Sequence, residues 1–342
     1  MEEKIMDAIG VVFTGSDSDG GLWARIDADG NVVPDPGQAF FDTRSVWGGI
    51  KDVVIDGQHM VLIPAFYIKR TRLTAGEYAG KHAWLISDKP LDGFSIHPAF
   101  RRDGGDLQQV FVGKYQASMD GSKLSSVPGV KPAVSRSLTQ FQADAAARNE
   151  GDVEGFMLWS AYQWSAIQWL YLVENATMDS QSKTGRGRVD AWGKGAAEVD
   201  AEDVAQATYR GIVGLWGNVW QWMDGLKTIS GVINLWDREG NQTWVNTGQT
   251  PPNMNNYTYP VTFMDASGSG YDMDDVFIGK TGPTSNSGAT APDYQYWNNS
   301  AESFPFVGGG WSYGADAGLW NVYCSNAASD SYTSLGARLA KE

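Results

Sequence analysis

"GGGWSYGADAGLWNVYCSNAASDSYTSLGARL", residues 308–339, decides how the rest of the chain is read. Its Gly, Trp, Ala and Leu residues form a frame that can fix a fold, because Gly permits turns and close backbone approach while large apolar side chains anchor in a core. Trp311, Leu319 and Leu335 are the expected anchors. Between them stand Ser, Tyr, Asp and Asn, the residue types that recognition loops favour: Tyr offers a large amphipathic surface with few rotors, and the others offer adaptable hydrogen bonds. The stretch reads as a stiff lattice that holds replaceable polar and tyrosyl side chains toward solvent.

Composition bounds what surrounds it. The chain has 342 residues, enough for two domains and a sizeable core, with 12% aromatic residues, 15 Trp and 41 Gly. A formal net charge of −14 argues against nucleic acid as a partner, since no compensating basic patch is present. The densest basic stretch, KTGRGRVDAWGK at 183–194, is short and Gly-spaced and reads as a solvated loop. Cys324 is the only cysteine, so neither an intrachain disulfide nor a CxxC metal site is expected, and His59, His82 and His97 lack ligand spacing. The first residues, MEEKIMDAIGVVFTG, carry no long apolar stretch and predict no secretion signal. No run reaches the ~20 apolar residues of a membrane-spanning helix.

Working upstream, residues 11–115 favour strands and turns. Leu22 to Ile26 alternates and runs into Asp29-Gly30 and Val32-Val33, which predicts a hairpin turned by Asp-Gly rather than a calcium loop. MVLIPAFYIKRTRL at 60–73 is strongly β-prone, with Pro64 marking a strand start, bulge or edge. DGSKLSSVPGVK at 120–131 reads as a connector, which places a boundary between a β-rich domain at 1–125 and a second domain at 126–342.

Two helices are expected next. Ser137 with Gln140, and Ser160 with Gln163, each fit a capping box; Leu138, Phe141 and Ala145 share a face, and Tyr162, Ala166, Trp169 and Val173 give the second helix one deeply buried side. Beyond Asn175 the pattern is short strands and long polar loops. GLWGNVWQWMDG at 214–225 alternates as a strand with two differently used faces. Residues 243–293 are mostly irregular, and Asp272, Asp274 and Asp275 read as an exposed acidic turn, with cation binding the lesser alternative. The fold class is α+β.

GNVWQW at 217–222, GGGW at 308–311 and LGARLA at 335–340, in that order after two helices, resemble the C-type-lectin-like fold of formylglycine-generating enzymes and their relatives. The similarity covers about residues 135–342. Within that group the closing stretch resembles the variable region of diversity-generating-retroelement proteins, among them tropism-determining proteins of phage tail fibres. In such proteins template Asn codons are rewritten to codons for Tyr, Asp, Ser, Gly, Cys and others. The resemblance therefore implies a variable region at about 294–339 and marks Ser312, Tyr313, Asp316, Tyr323, Ser325, Asn326, Asp330, Tyr332 and Ser334 as diversified, ligand-binding positions, with Asn321 a weaker member. Gly310, Tyr294, Tyr296, Asn298 and Asn299 are weaker members too.

The same resemblance implies a phage tail receptor-binding protein in the virion, made in the host cytoplasm. Its expected partners are a host-cell surface protein or glycan and other tail proteins, and it is expected to be a homotrimer without membrane insertion. A host-encoded variable binder, or an oxidase relative lacking its cysteine pair, is the alternative. Oxidase chemistry of that type needs two cysteines, and neither GxSxG, HExxH nor a P-loop occurs. No enzymatic activity, cofactor or metal is expected.

Overall fold

The computed structural model describes residues 7–15 and 20–342; the first six residues, part of the stretch read as carrying no secretion signal, lie outside them. The fold is mixed and strand-rich, with five α-helices among the described residues: Gln38–Thr43 (α1), Leu138–Ala146 (α2), Ala161–Asn175 (α3), Ser180–Lys183 (α4) and Glu202–Ala205 (α5). No helix among the described residues is long and apolar enough to cross a membrane.

The N-terminal part forms an antiparallel sheet in the order Leu22–Asp27, Ala8–Gly15, His82–Ser87, Tyr67–Arg72, Ser95–Ile96. The predicted Asp-Gly turn is there: Gly30 N donates to Asp27 O, and Ile26 bridges to Val32. Pro64 ends the strand Gln58–Pro64, and the chain resumes at Tyr67–Arg72. A second antiparallel sheet runs Phe156–Leu158, Leu339–Lys341, Gln109–Gly113, Gln58–Pro64, Lys51–Ile55. Its strands come from both sides of residue 125, and one apolar core extends from Ile9 to Ala340. The expected connector is itself partly sheet. Ser118–Asp120 and Lys123–Ser125 form a hairpin whose Leu124 is buried, because its apolar side chain and the Ser126 hydroxyl both find partners in the interior.

Both capping boxes form as predicted. Ser137 Oγ accepts from Gln140 N while Gln140 Oε1 accepts from Ser137 N, and Ser160 and Gln163 repeat the pattern. Leu138, Phe141 and Ala145 of α2 face the core. Helix α3 differs from its one-sided expectation: every residue from Ala161 to Glu174 is buried. The reason is its central place. One side touches the strands Ala8–Gly15 and His82–Ser87, and the other meets the C-terminal part, where Gln168 Nε2 donates to Leu319 O and the Tyr171 and Trp320 rings lie 5.6 Å apart. A helix covered all round is held by tertiary contact rather than by an amphipathic stripe.

The acidic turn is also corrected. Asp275 is buried and held by Arg238 at 2.8 and 3.0 Å, and Asp274 pairs with Arg70 at 2.7 Å. Burial pushes both carboxyls up to about 6, against the pull of those guanidinium groups. Arg70 belongs to the N-terminal sheet and also donates to Met264 O and Phe263 O, so the long 243–293 segment is clamped down rather than free.

Arg338 of the LGARLA segment is fully buried without a carboxylate. Its Nε donates to Gln221 Oε1 at 2.8 Å, Nη1 to Gly113 O and Lys114 O at 2.8 and 3.1 Å, and Nη2 to Val213 O and Gly214 O, both at 2.8 Å. Burial lowers its pKa to about 9, still above neutrality, so the group is cationic at pH 7. Gln116 braces the same turn, donating to Gly214 O and Gly217 O, each at 3.1 Å. Arg338→Met leaves these carbonyls without their donor and is expected to destabilise by about 3–5 kcal/mol, with Arg338→Lys only partly restoring stability because an ammonium lacks the planar fork. Denaturant midpoints of the three proteins test this.

Candidate functional site

The C-terminal sheet is mixed, in the order Tyr257–Thr258, Gln295–Trp297, Gly318–Asn326, Phe304–Gly308, Trp220–Trp222, Leu335–Gly336. Its frame glycines are steric requirements. Gly308 has φ +87° and a Cβ there would lie 2.7 Å from Leu215 O; Gly309 has φ +78° and its Cβ would lie 2.5 Å from the Ala317 Cβ. The strand Trp220–Trp222, expected to use its two faces differently, is buried on both. The Phe306 and Tyr313 rings pack on Trp220, and Arg338 and the 214–215 carbonyls meet the Gln221 side chain.

Along Gly318–Asn326 the side chains alternate once the strand clears the core: Tyr323 and Ser325 reach outward, while Val322, Cys324 and Asn326 are buried. Register then builds an aromatic row. Tyr296 and Phe306 are the Cα partners of Tyr323 on its two flanking strands, and their rings stack on it at 4.6 and 5.3 Å with interplanar angles of 11° and 14°. Tyr257 pairs with Tyr296, and Trp220 packs edge-on against Phe306 at 4.9 Å and Tyr313 at 4.7 Å. Burial raises the phenol pKa of Tyr313 and Tyr323, which keeps both as neutral hydroxyls at physiological pH.

At one end of this row opens a cavity of about 430 Å³, lined by Trp220, Phe306, Tyr313, Tyr323, Ser325, Asn326, Asp330, Tyr332, Ser334 and Leu335. Its polar wall is ordered by local bonds. Asn326 Nδ2 donates to Asp330 Oδ2 at 3.0 Å and to the Tyr332 hydroxyl at 3.1 Å, and Ala327 N donates to Asp330 Oδ2 at 3.0 Å. The loop is tied to its surroundings by Leu138 N to Ala328 O, Ser135 N to Tyr332 O and Trp220 N to Ser334 O.

The structure thus gathers Tyr313, Tyr323, Ser325, Asn326, Asp330, Tyr332 and Ser334 around one opening. Three candidates stand apart. Asp316 accepts from the Tyr259 hydroxyl at 2.7 Å, Ser312 is half-buried outside the lining, and Asn321 is fully buried, its Nδ2 donating to Tyr294 O and Asp316 O. Asn321 is a structural brace because the strand is still inside the core at that point. Of the weaker candidates, Tyr294 and Gly310 are buried, Tyr296 and Asn298 are half-buried, and Asn299 is exposed.

Two frame residues change place. Trp311 is half-buried, whereas Trp320 is fully enclosed beside Tyr171. Cys324 points inward toward Ser303 O and Thr228, and burial pushes its thiol up to about 12. Sequence reading missed Trp220 and Phe306 as lining residues. Only the register of distant strands brings them to the cavity, and the one available signal was the alternation of Trp220 and Trp222. Among the described residues no group of three or more His, Cys, Asp or Glu is placed to hold a metal ion.

No family model and no curated protein matches the chain. Among solved structures it is similar to Treponema denticola variable protein 1, with 13% sequence identity and a TM-score of 0.39 over 85% of this chain and 98% of that one. It is also similar to PvdO from Pseudomonas aeruginosa, with 12% identity and a TM-score of 0.38 over 86% of this chain and 97% of that one. A third is the Major Tropism Determinant M1 variant, with 11% identity and a TM-score of 0.34 over 98% of this chain and 71% of that one. A variable protein and a tropism determinant are thus among these structural neighbours.

Burial separates frame from face in a measurable way. Trp320→Ala should cost about 3–5 kcal/mol, while Trp311→Ala should cost about 2 kcal/mol or less, read from denaturant unfolding.

Proposed function

We propose that this chain is a phage tail receptor-binding protein, and that its surface at about 294–339 grips a ligand on the host cell. The observation that carries the reading is the convergence of Tyr313, Tyr323, Ser325, Asn326, Asp330, Tyr332 and Ser334 on one cavity beside an aromatic row. An open concavity lined by rigid aromatics and adaptable polar groups suits recognition. Trp220, Phe306 and Tyr323 sit on strands, so for these rings little order has to be gained on binding.

In this reading residues 126–342 are the C-type-lectin-like, ligand-binding part, and residues 1–125 serve attachment to the tail and oligomerisation as a trimer, a role that the sequence resemblance alone suggests. Several copies engaging one cell would turn weak single contacts into firm attachment where the geometry lets them bind together. The chain acts as a binder rather than an enzyme. Oxidase chemistry of the formylglycine type is disfavoured because the lone thiol is buried and held protonated, whereas a reactive cysteine needs access and a lowered pKa.

The test uses the labelled full chain on a panel of bacterial cells. Tyr257 and Tyr332 are 44% and 50% exposed, so replacing both with Ser should leave the melting temperature nearly unchanged. Cell binding should fall about tenfold or more, the loss of a modest interface hot spot. Equal binding by the variant, or binding to none of the cells by the parent, would overturn the reading.

A further inference from the structure

Resting on that reading, we infer that the cavity takes a positively charged side chain, the ammonium of lysine or the guanidinium of arginine, from a protein on the target surface. Four observations lead there.

The lining contains a carboxylate, several hydroxyls and aromatic rings, and no Lys, Arg or His. Its single formal charge is therefore negative, within a chain whose net charge is −14. A ligand drawn to it gains from being cationic, both at long range and on contact.

The carboxylate is aimed but only half used. Asp330 Oδ2 accepts from Asn326 Nδ2 and Ala327 N, which fix its plane, while among the described residues no protein donor reaches Oδ1 and no Lys or Arg pairs with the group. A preoriented carboxylate with one free oxygen suits an ammonium or one arm of a guanidinium.

Aromatic surface lies beside it. Tyr332 is half-exposed and Tyr313 half-buried, and electron-rich rings attract a cation that is losing water. The hydroxyls of Ser325 and Ser334 add acceptors for the remaining N–H groups.

The same fold shows what fills such an arrangement when the partner is internal. Lys227 Nζ sits 4.4 Å above the Trp244 ring and 2.8 Å from Glu302 Oε1, and Arg70 lies 4.9 Å over Trp84 and 2.7 Å from Asp274. Each is a basic side chain between an aromatic ring and a carboxylate. In the cavity the ring and the carboxylate are present and the basic member is the one left to be supplied from outside.

The experiment titrates the full chain with Nα-acetyl-lysine methylamide and Nα-acetyl-arginine methylamide, with the norleucine analogue and methyl glycosides for comparison, followed by ligand-observed NMR. The basic amides should bind in the millimolar range, weaken with added salt and weaken about two- to fivefold in Asp330→Asn, as loss of one partly exposed charge pair gives. Asn keeps an acceptor for Asn326 and Ala327, and an unchanged melting temperature confirms that the loop stays folded. Equal binding of norleucine, binding of glycosides that ignores Asp330→Asn, or no binding of the basic amides up to about 50 mM overturns the inference. Cell binding keeps the two ideas apart: loss in the Tyr257 and Tyr332 variant with full retention in Asp330→Asn removes the cation and leaves the receptor-binding reading standing.

Discussion

The buried guanidinium of Arg338 is the constraint from which the rest of the architecture follows. It binds backbone carbonyls at 113–114 and 213–214 and the side chain of Gln221, each more than 100 residues before it in the chain, and it lies 5.2 Å over the Trp159 ring. A buried charge is costly unless its donors are all met, and here carbonyl dipoles meet them in place of a carboxylate. That locks the last strand beside Gln109–Gly113 and sets Leu335–Gly336 next to Trp220. The loop at 326–334 that precedes Leu335–Gly336 supplies Asn326, Asp330, Tyr332 and Ser334 to the cavity wall.

The aromatic row is a second consequence of fixed register. Tyr257, Tyr296, Tyr323 and Phe306 are successive partners across four strands, so a one-residue slip of Gly318–Asn326 would turn Val322 and Cys324 outward and Tyr323 into the core. The positions alternating with Tyr323 and Ser325 carry the packing of this strand. Trp320, Val322 and Cys324 form the inward set, Asn321 is held inside by its bonds to Tyr294 O and Asp316 O, and Tyr323 packs only against the aromatic row.

Local signals were legible where the physics is local. The two capping boxes and the Asp-Gly hairpin each depend on a few neighbouring residues, whereas Pro64, read as a strand start, bulge or edge, instead ends a strand inside its sheet. The misread features all depend on distant partners. Helix α3 looks one-sided until a second layer covers its other face, and the 272–275 carboxylates look exposed until Arg238 and Arg70 arrive from elsewhere. The Lys123–Ser125 strand reads as linker because Ser and Gly around it are turn formers, while its burial comes from the surrounding core.

By itself the sequence determined the strand-rich mixed composition, the two capped helices and the set of Tyr, Ser, Asn and Asp positions between rigid anchors, since these follow from residue chemistry and spacing along the chain. Tertiary structure alone decided which of those positions share a cavity, that Asn321 and Cys324 serve the core, that Trp320 and not Trp311 is enclosed, and that Trp220 and Phe306 join the lining. The reason is that side-chain direction in a sheet is set by pairing with strands about 15 to 100 residues away, and such pairing leaves no trace in local spacing.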